Sequence, residues 1–324
     1  MRISVLVMDG LFDSGLATVL DVLQMANELR EELPHPPPRW ELTRVSGRGG
    51  AVRTASGHVI EARAADDGPR PDLLIVPGAG PKQPAPLLDW VAAPEREPER
   101  EALRRARAEG IPLAAACTST FLLAEAGVLD GLAATTSWWL APAFRQAFPQ
   151  VALTESHMLV HSPGVTTAGA AMAHLDLALA LVRQASPALA DLTARYLVVD
   201  DRPTQAGYAI PSHLARTDPT VSAFESWVRA HLDQPLRMAE AARAVGASER
   251  TLQRAVDRVL GVSPLRFAQT IRLEQAAHLL RTTDLPTETV ARRVGYENAS
   301  TLTTLLRKRL GATPGHLRNA TAGA

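Results

Sequence analysis

The chain has 324 residues, a length suited to two domains, and its 46% hydrophobic and 21% charged residues match an ordinary water-soluble globular protein. A single cysteine excludes an internal disulfide and any multi-cysteine metal site, and no apolar run approaches the roughly 18 residues that span a bilayer. Net charge is zero, yet residues 236–320 hold 14 Arg and Lys against 7 Asp and Glu, which leaves 20 against 27 elsewhere. A basic module that approaches phosphates is thus joined to an acidic body that does not. The N terminus runs into fold-like sequence without a signal-peptide core, so a cytoplasmic protein is expected, with no membrane partner. Nothing in the residues calls for a cofactor or a metal.

In chain order, residues 3–8 form an apolar run that reads as a buried parallel strand. Residues 16–29 are apolar at Leu16, Val19, Leu20, Leu23 and Ala26, which is helical spacing. Further strands are expected at 40–45, 73–76 and 111–116. Pro77-Gly78 stops the second of these. A charged helix over 100–109 ends at Gly110, and a helix over 118–126 is closed by Gly127. Residues 81–98, rich in Pro and charge, read as a surface loop. Strand-like pieces follow at 133–136, 158–160 and 165–167, with 138–148 helical between them. Gly169 is expected to open a helix to about 182. Repeated strand–helix units imply a parallel sheet covered on both faces. The pattern lapses at 200–220, where Asp200, Asp201, Pro203, Gly207, Pro211 and Pro219 mark a linker between domains at 1–199 and 221–320.

From Val221 onward the sequence reads as helical and contains a repeat at about 50 residues. The first copy, residues 236–258, stops a short helix at Gly246 and continues to Gly261-Val262-Ser263-Pro264. The second, residues 286–309, does the same at Gly295 and reaches Gly311-Ala312-Thr313-Pro314. A glycine tolerates the positive φ of a sharp turn between helices. Ser248 and Asn298 are plausible N-caps for the helices that follow, and each Ser/Thr-Pro pair suits a helix start with Pro in first position.

These residues resemble the AraC/XylS-type DNA-binding domain across 221–320. The resemblance implies an all-α domain whose two recognition helices, 248–258 and 298–309, are held by the connector 264–281 and enter successive major grooves about 34 Å apart. Ser248, Glu249, Arg250, Gln253 and Arg254 are the candidate contacts of the first unit. Arg and Gln offer bidentate pairing to guanine and adenine edges. In the second unit Asn298, Ser300, Thr301 and Thr304 are candidates, with Arg307, Lys308 and Arg309 suited to the phosphate backbone. Where the family usually carries an Arg and two Phe, this chain has Thr304, Leu302 and Leu306. The two Leu still fill a core, while the missing Arg weakens the second unit's grip.

The lone Cys117 falls at a strand-to-helix junction. A sharp turn would aim the thiol, and the adjacent helix N-terminus would favour the thiolate. This is nucleophile-elbow logic with Cys in place of Ser. The stretch from Cys117 to Trp138, with Leu129-Asp130-Gly131 and Ala134-Thr135-Thr136, resembles the class I glutamine amidotransferase-like (PfpI-like) domain. With Asp13, Val76-Pro77-Gly78-Ala79-Gly80 and Ala168-Gly169, it resembles more narrowly the GlxA-like regulators that fuse this domain to AraC-type DNA binding. The resemblance implies a flavodoxin-like α/β sandwich that senses a small molecule and dimerises. Family analogues suggest amino acids, betaines or related amines as effectors.

Catalytic members of that family carry a His after the Thr-Thr pair; here Ser137 stands there, followed by Trp138. A serine cannot take the thiol proton, so the Cys–His relay is missing. The expectation is therefore a ligand pocket without turnover, with Asp13, Gly78, Cys117, Thr118, Ser137, Trp138 and His174 as candidates and Trp139 as its partner in core or wall. Asp13 is equally a candidate helix cap. A Cys117-dependent hydrolase or hydratase using His174 or His161 as base, and a regulator that senses oxidation at Cys117, are the alternatives.

Overall fold

The structure is a computed structural model that describes residues 1–200, 202, 204–205, 215, 218–310 and 312–319. It divides into two compact units, residues 1–209 and 210–324. In the first, β1 (Arg2–Leu6), β2 (Glu41–Ser46), β3 (Gly50–Arg53), β4 (Val59–Ala64), β5 (Leu73–Val76), β6 (Leu113–Ala116), β9 (Leu159–Ser162) and β10 (Val165–Ala168) form one sheet in the order β3-β4-β2-β1-β5-β6-β10-β9. A separate short pair joins β7 (Ala133–Ala134) and β8 (Ala152–Leu153). The central strands are parallel. Toward the two edges, β3 on β4 and β9 on β10 are antiparallel.

Helices α1 (Asp13–Leu29), α2 (Pro84–Ala92), α3 (Glu97–Ala108), α4 (Ser119–Glu125), α5 (Ala141–Ala147), α6 (Ala173–Ala185) and α7 (Pro187–Leu197) accompany the sheet. β5 and β6 are buried at every position, which is why they read as continuous apolar runs. The flavodoxin-like order reverses between β1 and β5, and open sheets of this kind bind ligands beyond the carboxyl ends of strands at such a reversal.

Two expectations need correction. Residues 81–98 are not a loop: α2 occupies 84–92, because Pro84 can open a helix and Leu87 and Val91 bury completely against the core. The helix after β10 starts at Ala173 rather than Gly169, whose amide instead donates to the Met158 carbonyl. Of the 200–220 linker, most residues lie outside those described, but Gln205 is buried in the first unit, whose compact limit extends past 199.

The second unit contains α8 (Pro219–Ala230), α9 (Met238–Ala244), α10 (Glu249–Leu260), α11 (Pro264–Thr282), α12 (Thr287–Arg293), α13 (Ala299–Leu310) and α14 (Pro314–Asn319). Two hydrophobic cores form here. Phe224, Leu252 and Val256 pack with Phe267 and Ile271; Val290, Leu302 and Leu306 pack with Leu273, Ala276 and Leu280. The single helix α11 supplies both. Leu302 and Leu306 are fully buried, each contributing about 1.5–3 kcal/mol relative to an exposed leucine, so the departure from phenylalanine leaves this core intact. Among the described residues, no helix is long and apolar enough to cross a membrane.

Candidate functional site

Cys117 follows β6 at φ 62°, a left-handed conformation that a non-glycine residue rarely adopts. The surroundings hold it there. Its amide donates to the Ala168 carbonyl at 3.0 Å, and its own carbonyl accepts from Thr136 Oγ1 at 2.7 Å. The thiol lies 3.2 Å from Ser137 Oγ. The elbow expected from sequence is therefore present, in surroundings that disfavour the thiolate. Cys117 is 1% exposed, and burial pushes the thiol above its ordinary range despite the hydroxyls of Ser137 and Thr118.

His174 lies close by: a side chain added at Gly78 would meet both the Cys117 Cβ, at 3.2 Å, and the His174 ring, at 3.4 Å. Both ring nitrogens are nevertheless committed. Nε2 accepts from the Gly78 amide at 2.8 Å, and Nδ1 donates to the Ala171 carbonyl. That pairing fixes the neutral tautomer, and burial lowers the pKa further. With its Nε2 lone pair used, this imidazole has no site for a thiol proton. His161 is exposed on β9, paired with Thr166 Oγ1.

The loop after β5 is spent in the same way. Thr118 Oγ1 accepts from the Ala79 amide at 3.0 Å and donates to its carbonyl at 2.7 Å; the Gly80 amide donates to the Gly10 carbonyl. The Gly78, Ala79 and Gly80 amides, backbone donors beside the elbow, are thus engaged with the protein itself. Phe12 packs against Gly78, with Lys82 4.9 Å above its ring, and Trp139 Nε1 donates to the Lys82 carbonyl. Trp138 and Trp139, both half-buried, meet edge to face at 5.5 Å.

The structure places Asp13 elsewhere. It opens α1, with Phe12 as the cap residue, and its carboxylate turns to the β3–β4 connection. It accepts from the Ser56 amide at 3.2 Å and lies 2.7 Å from His58 Nδ1. Hydrogen bonds from Ser56, Thr54 and His58 hold it well below the usual carboxylate range. Ser56, His58 and Asp13 do not form a catalytic triad, because both partners contact the same ring nitrogen. A cleft of about 490 Å³ opens on this side, between Asp9-Gly10 and residues 51–54.

In the second unit, Ser248 caps α10, accepting from the Thr251 amide at 3.1 Å. Asn298 Oδ1 accepts from the Thr301 amide at 2.9 Å at the start of α13. Both glycine turns close alike: Ala247 and Tyr296 donate to the carbonyls of Ala242 and Ala291, with Gly246 at φ 68° and Gly295 at φ 77°. On α10, Glu249, Arg250, Gln253 and Arg254 are exposed, and on α13 so are Ser300, Thr301, Thr304, Arg307 and Lys308. Arg250 and Arg254 form no ion pair among the described residues, whereas Arg258 is held 2.6 Å from Asp218. Sequence reading missed Glu288, whose carboxylate accepts from the Ala299 amide at 3.0 Å and so helps set the start of α13.

Residues 1–184 match the DJ-1/PfpI family, and residues 241–320 match a helix-turn-helix domain. The chain belongs to the DJ-1/PfpI family. Within it, the chain joins this domain to an AraC-type DNA-binding domain, the organisation of a transcriptional regulator. It is 29% identical to the HTH-type transcriptional regulator CdhR of Pseudomonas aeruginosa over 318 residues, 95% of this chain and 89% of that protein. It is 25% identical over 287 residues to the HTH-type transcriptional regulator GlxA of Rhizobium meliloti, 87% of this chain and 86% of that one. A crystal structure of a Vibrio parahaemolyticus protein shares the fold of the first unit, at TM-score 0.51 and 19% identity over 61% of this chain and 98% of that one.

Proposed function

We propose that this regulator binds a small effector over the Cys117 elbow without turning it over, pairs with a second copy through its first unit, and reads duplex DNA with α10 and α13. The observation that carries the reading of binding without turnover is the commitment of His174. A catalytic imidazole needs a free nitrogen beside the nucleophile, and both of its nitrogens are bonded to backbone. The buried, protonated thiol also disfavours the hydrolase and oxidation-sensing alternatives. On the DNA side, Arg250, Gln253 and Arg254 are the base and phosphate contacts of the first unit. Asn298, Ser300, Thr301 and Thr304 play that role in the second, with Arg307 and Lys308 on the backbone.

Coupling between the ends passes through the chain segment leaving the first unit. Gln205 Nε2 donates to the Thr136 carbonyl at 2.8 Å and to Thr135 Oγ1 at 3.3 Å, while Arg202 pairs with Asp176. Thr135 to Ser137 is the same stretch that faces Cys117, so a ligand that shifts it also shifts the strand of chain leading to the DNA-binding unit. Dimerisation would then present two basic modules to one operator and raise the effective concentration of the second.

The test uses the full chain and a panel of amino acids and betaines. A compound that raises the melting temperature should be recovered chemically intact after prolonged incubation. It should also change DNA affinity by about five- to 150-fold, the usual range for such coupling. Gln205→Ala should keep the melting shift and lose most of the change in DNA affinity. Consumption of the compound that Cys117→Ala abolishes would establish the hydrolase instead.

A further inference from the structure

Arg272 lies on α11 between the residues that feed the first core of the second unit and those that feed the second. It is 7% exposed. One arm of its guanidinium, Nη2, donates to the Gln234 carbonyl in the segment between α8 and α9. The other, Nη1, reaches the Gly295 carbonyl at 3.5 Å, in the turn between α12 and α13. A buried cation ordinarily has a carboxylate partner. Among the described residues Arg272 forms no ion pair, and burial lowers its pKa. Carbonyl oxygens take the carboxylate's place, and the one at Gly295 lies just beyond the C-terminus of α12, where unpaired carbonyls carry partial negative charge.

The opposing wall is equally particular. A Cβ on Gly295 would lie 2.8 Å from the Arg272 guanidinium carbon and would collide with the Leu232 carbonyl oxygen. The turn of the second helix-turn-helix therefore rests directly on the guanidinium and on the backbone of the segment between α8 and α9 that leads into the first. Only a residue without a side chain permits this approach, and φ 77° demands the same residue.

We propose that Arg272 is a positioning residue that locks the two helix-turn-helix units together and so fixes the separation and angle of α10 and α13 on DNA. The planar fork is essential to this role. It reaches a carbonyl on each side at once, whereas a lysine ammonium is a single point of charge on a flexible stem. The proposal rests on the DNA-binding reading above, and the experiment separates the two.

The full chain would select duplexes from a random pool, and footprinting would define the two segments that each copy protects, one for each of its helix-turn-helix units. Affinities would then be compared on the selected duplex, on one with about five base pairs, roughly half a helical turn, inserted between the segments, and on one retaining the first segment alone. Wild type should lose at least about tenfold on insertion, because two units held in fixed register cannot both engage. Arg272→Lys should bind the intact duplex about tenfold more weakly than wild type, match it within roughly twofold on the single segment, and be nearly indifferent to the insertion. Gly295→Ala should give the same pattern from the opposite wall. The positioning role is overturned if Arg272→Lys keeps the wild-type sensitivity to insertion. An equal loss on one-segment and two-segment duplexes overturns it too, since that marks a residue that merely stabilises the fold. If wild type selects no duplex at all, the DNA-binding reading falls first.

Discussion

The Cys117 elbow and the α10 surface contrast in how their polar groups are used. At the elbow the His174 nitrogens, the Gly78 and Ala79 amides and the Thr118 and Thr136 hydroxyls are all paired within the protein. On α10, Arg250, Gln253 and Arg254 project into solvent. A satisfied buried network is rigid and poor at proton transfer, whereas exposed donors on a capped helix are ready for an external partner. Function depends on how particular nitrogens and oxygens are used as well as on the fold that carries them, and those beside Cys117 are paired within the protein.

The largest effect that would break this contrast concerns the thiol. Cys117 in the native chain should react with a disulfide reagent at least about a hundredfold more slowly than in the denatured chain, because attack requires exposure and ionisation. Labelling at the denatured rate would reveal an open, reactive elbow. Next, Arg254→Ala should weaken binding to selected DNA by about 1–3 kcal/mol if the side chain makes a bidentate base contact. Unchanged affinity in a mobility-shift titration would remove it from the interface.

Smaller effects sharpen the comparison from the side of stability. Ser248→Ala should cost about 1 kcal/mol of the second unit's stability by removing an N-cap, read by urea unfolding, with little change in the first unit. The smallest effect is a pH dependence of the first unit. Burial lowers the His174 pKa below its ordinary 6.5, so the unfolded chain takes up the proton first. Stability should stay level above about pH 6.5 and decline as pH falls below it, less so in His174→Gln. A decline that persists unchanged in His174→Gln would assign it to another group.

Much of this was legible in the sequence, for physical reasons. β5 and β6 announce themselves because strands buried on both faces are apolar throughout, and the caps Ser248 and Ser263 because a hydroxyl before a helix has a specific task. The same signal was present at Ser186-Pro187, where Ser186 caps α7, yet the loop-rich stretch just after it obscured the helix. β3 and β4 carry no comparable pattern: β3 is a four-residue edge strand with mostly exposed side chains, and β4 beside it buries none of its residues fully. The elbow at Cys117 was readable from Gly-poor strand followed by helix, but its protonation was not. The sign of that shift depends on burial, and the Gly78 amide that occupies Nε2 of His174 comes from 96 residues away in the chain. For the same reason Asp13 could be placed at the start of α1 but not aimed; only the fold turns it to Ser56 and His58.

The most direct test of DNA recognition by the basic face is a salt titration of the full chain on its selected duplex, with wild type beside Arg307→Ala/Lys308→Ala. Each phosphate contact releases counterions, contributing about 0.9 to the slope of log affinity against log salt. Wild-type affinity should fall linearly on that plot, and the double variant should show a slope shallower by roughly 1.8 if both side chains meet phosphates. An affinity that does not change with salt, or binding lost at every salt concentration tested, would contradict DNA recognition by this face.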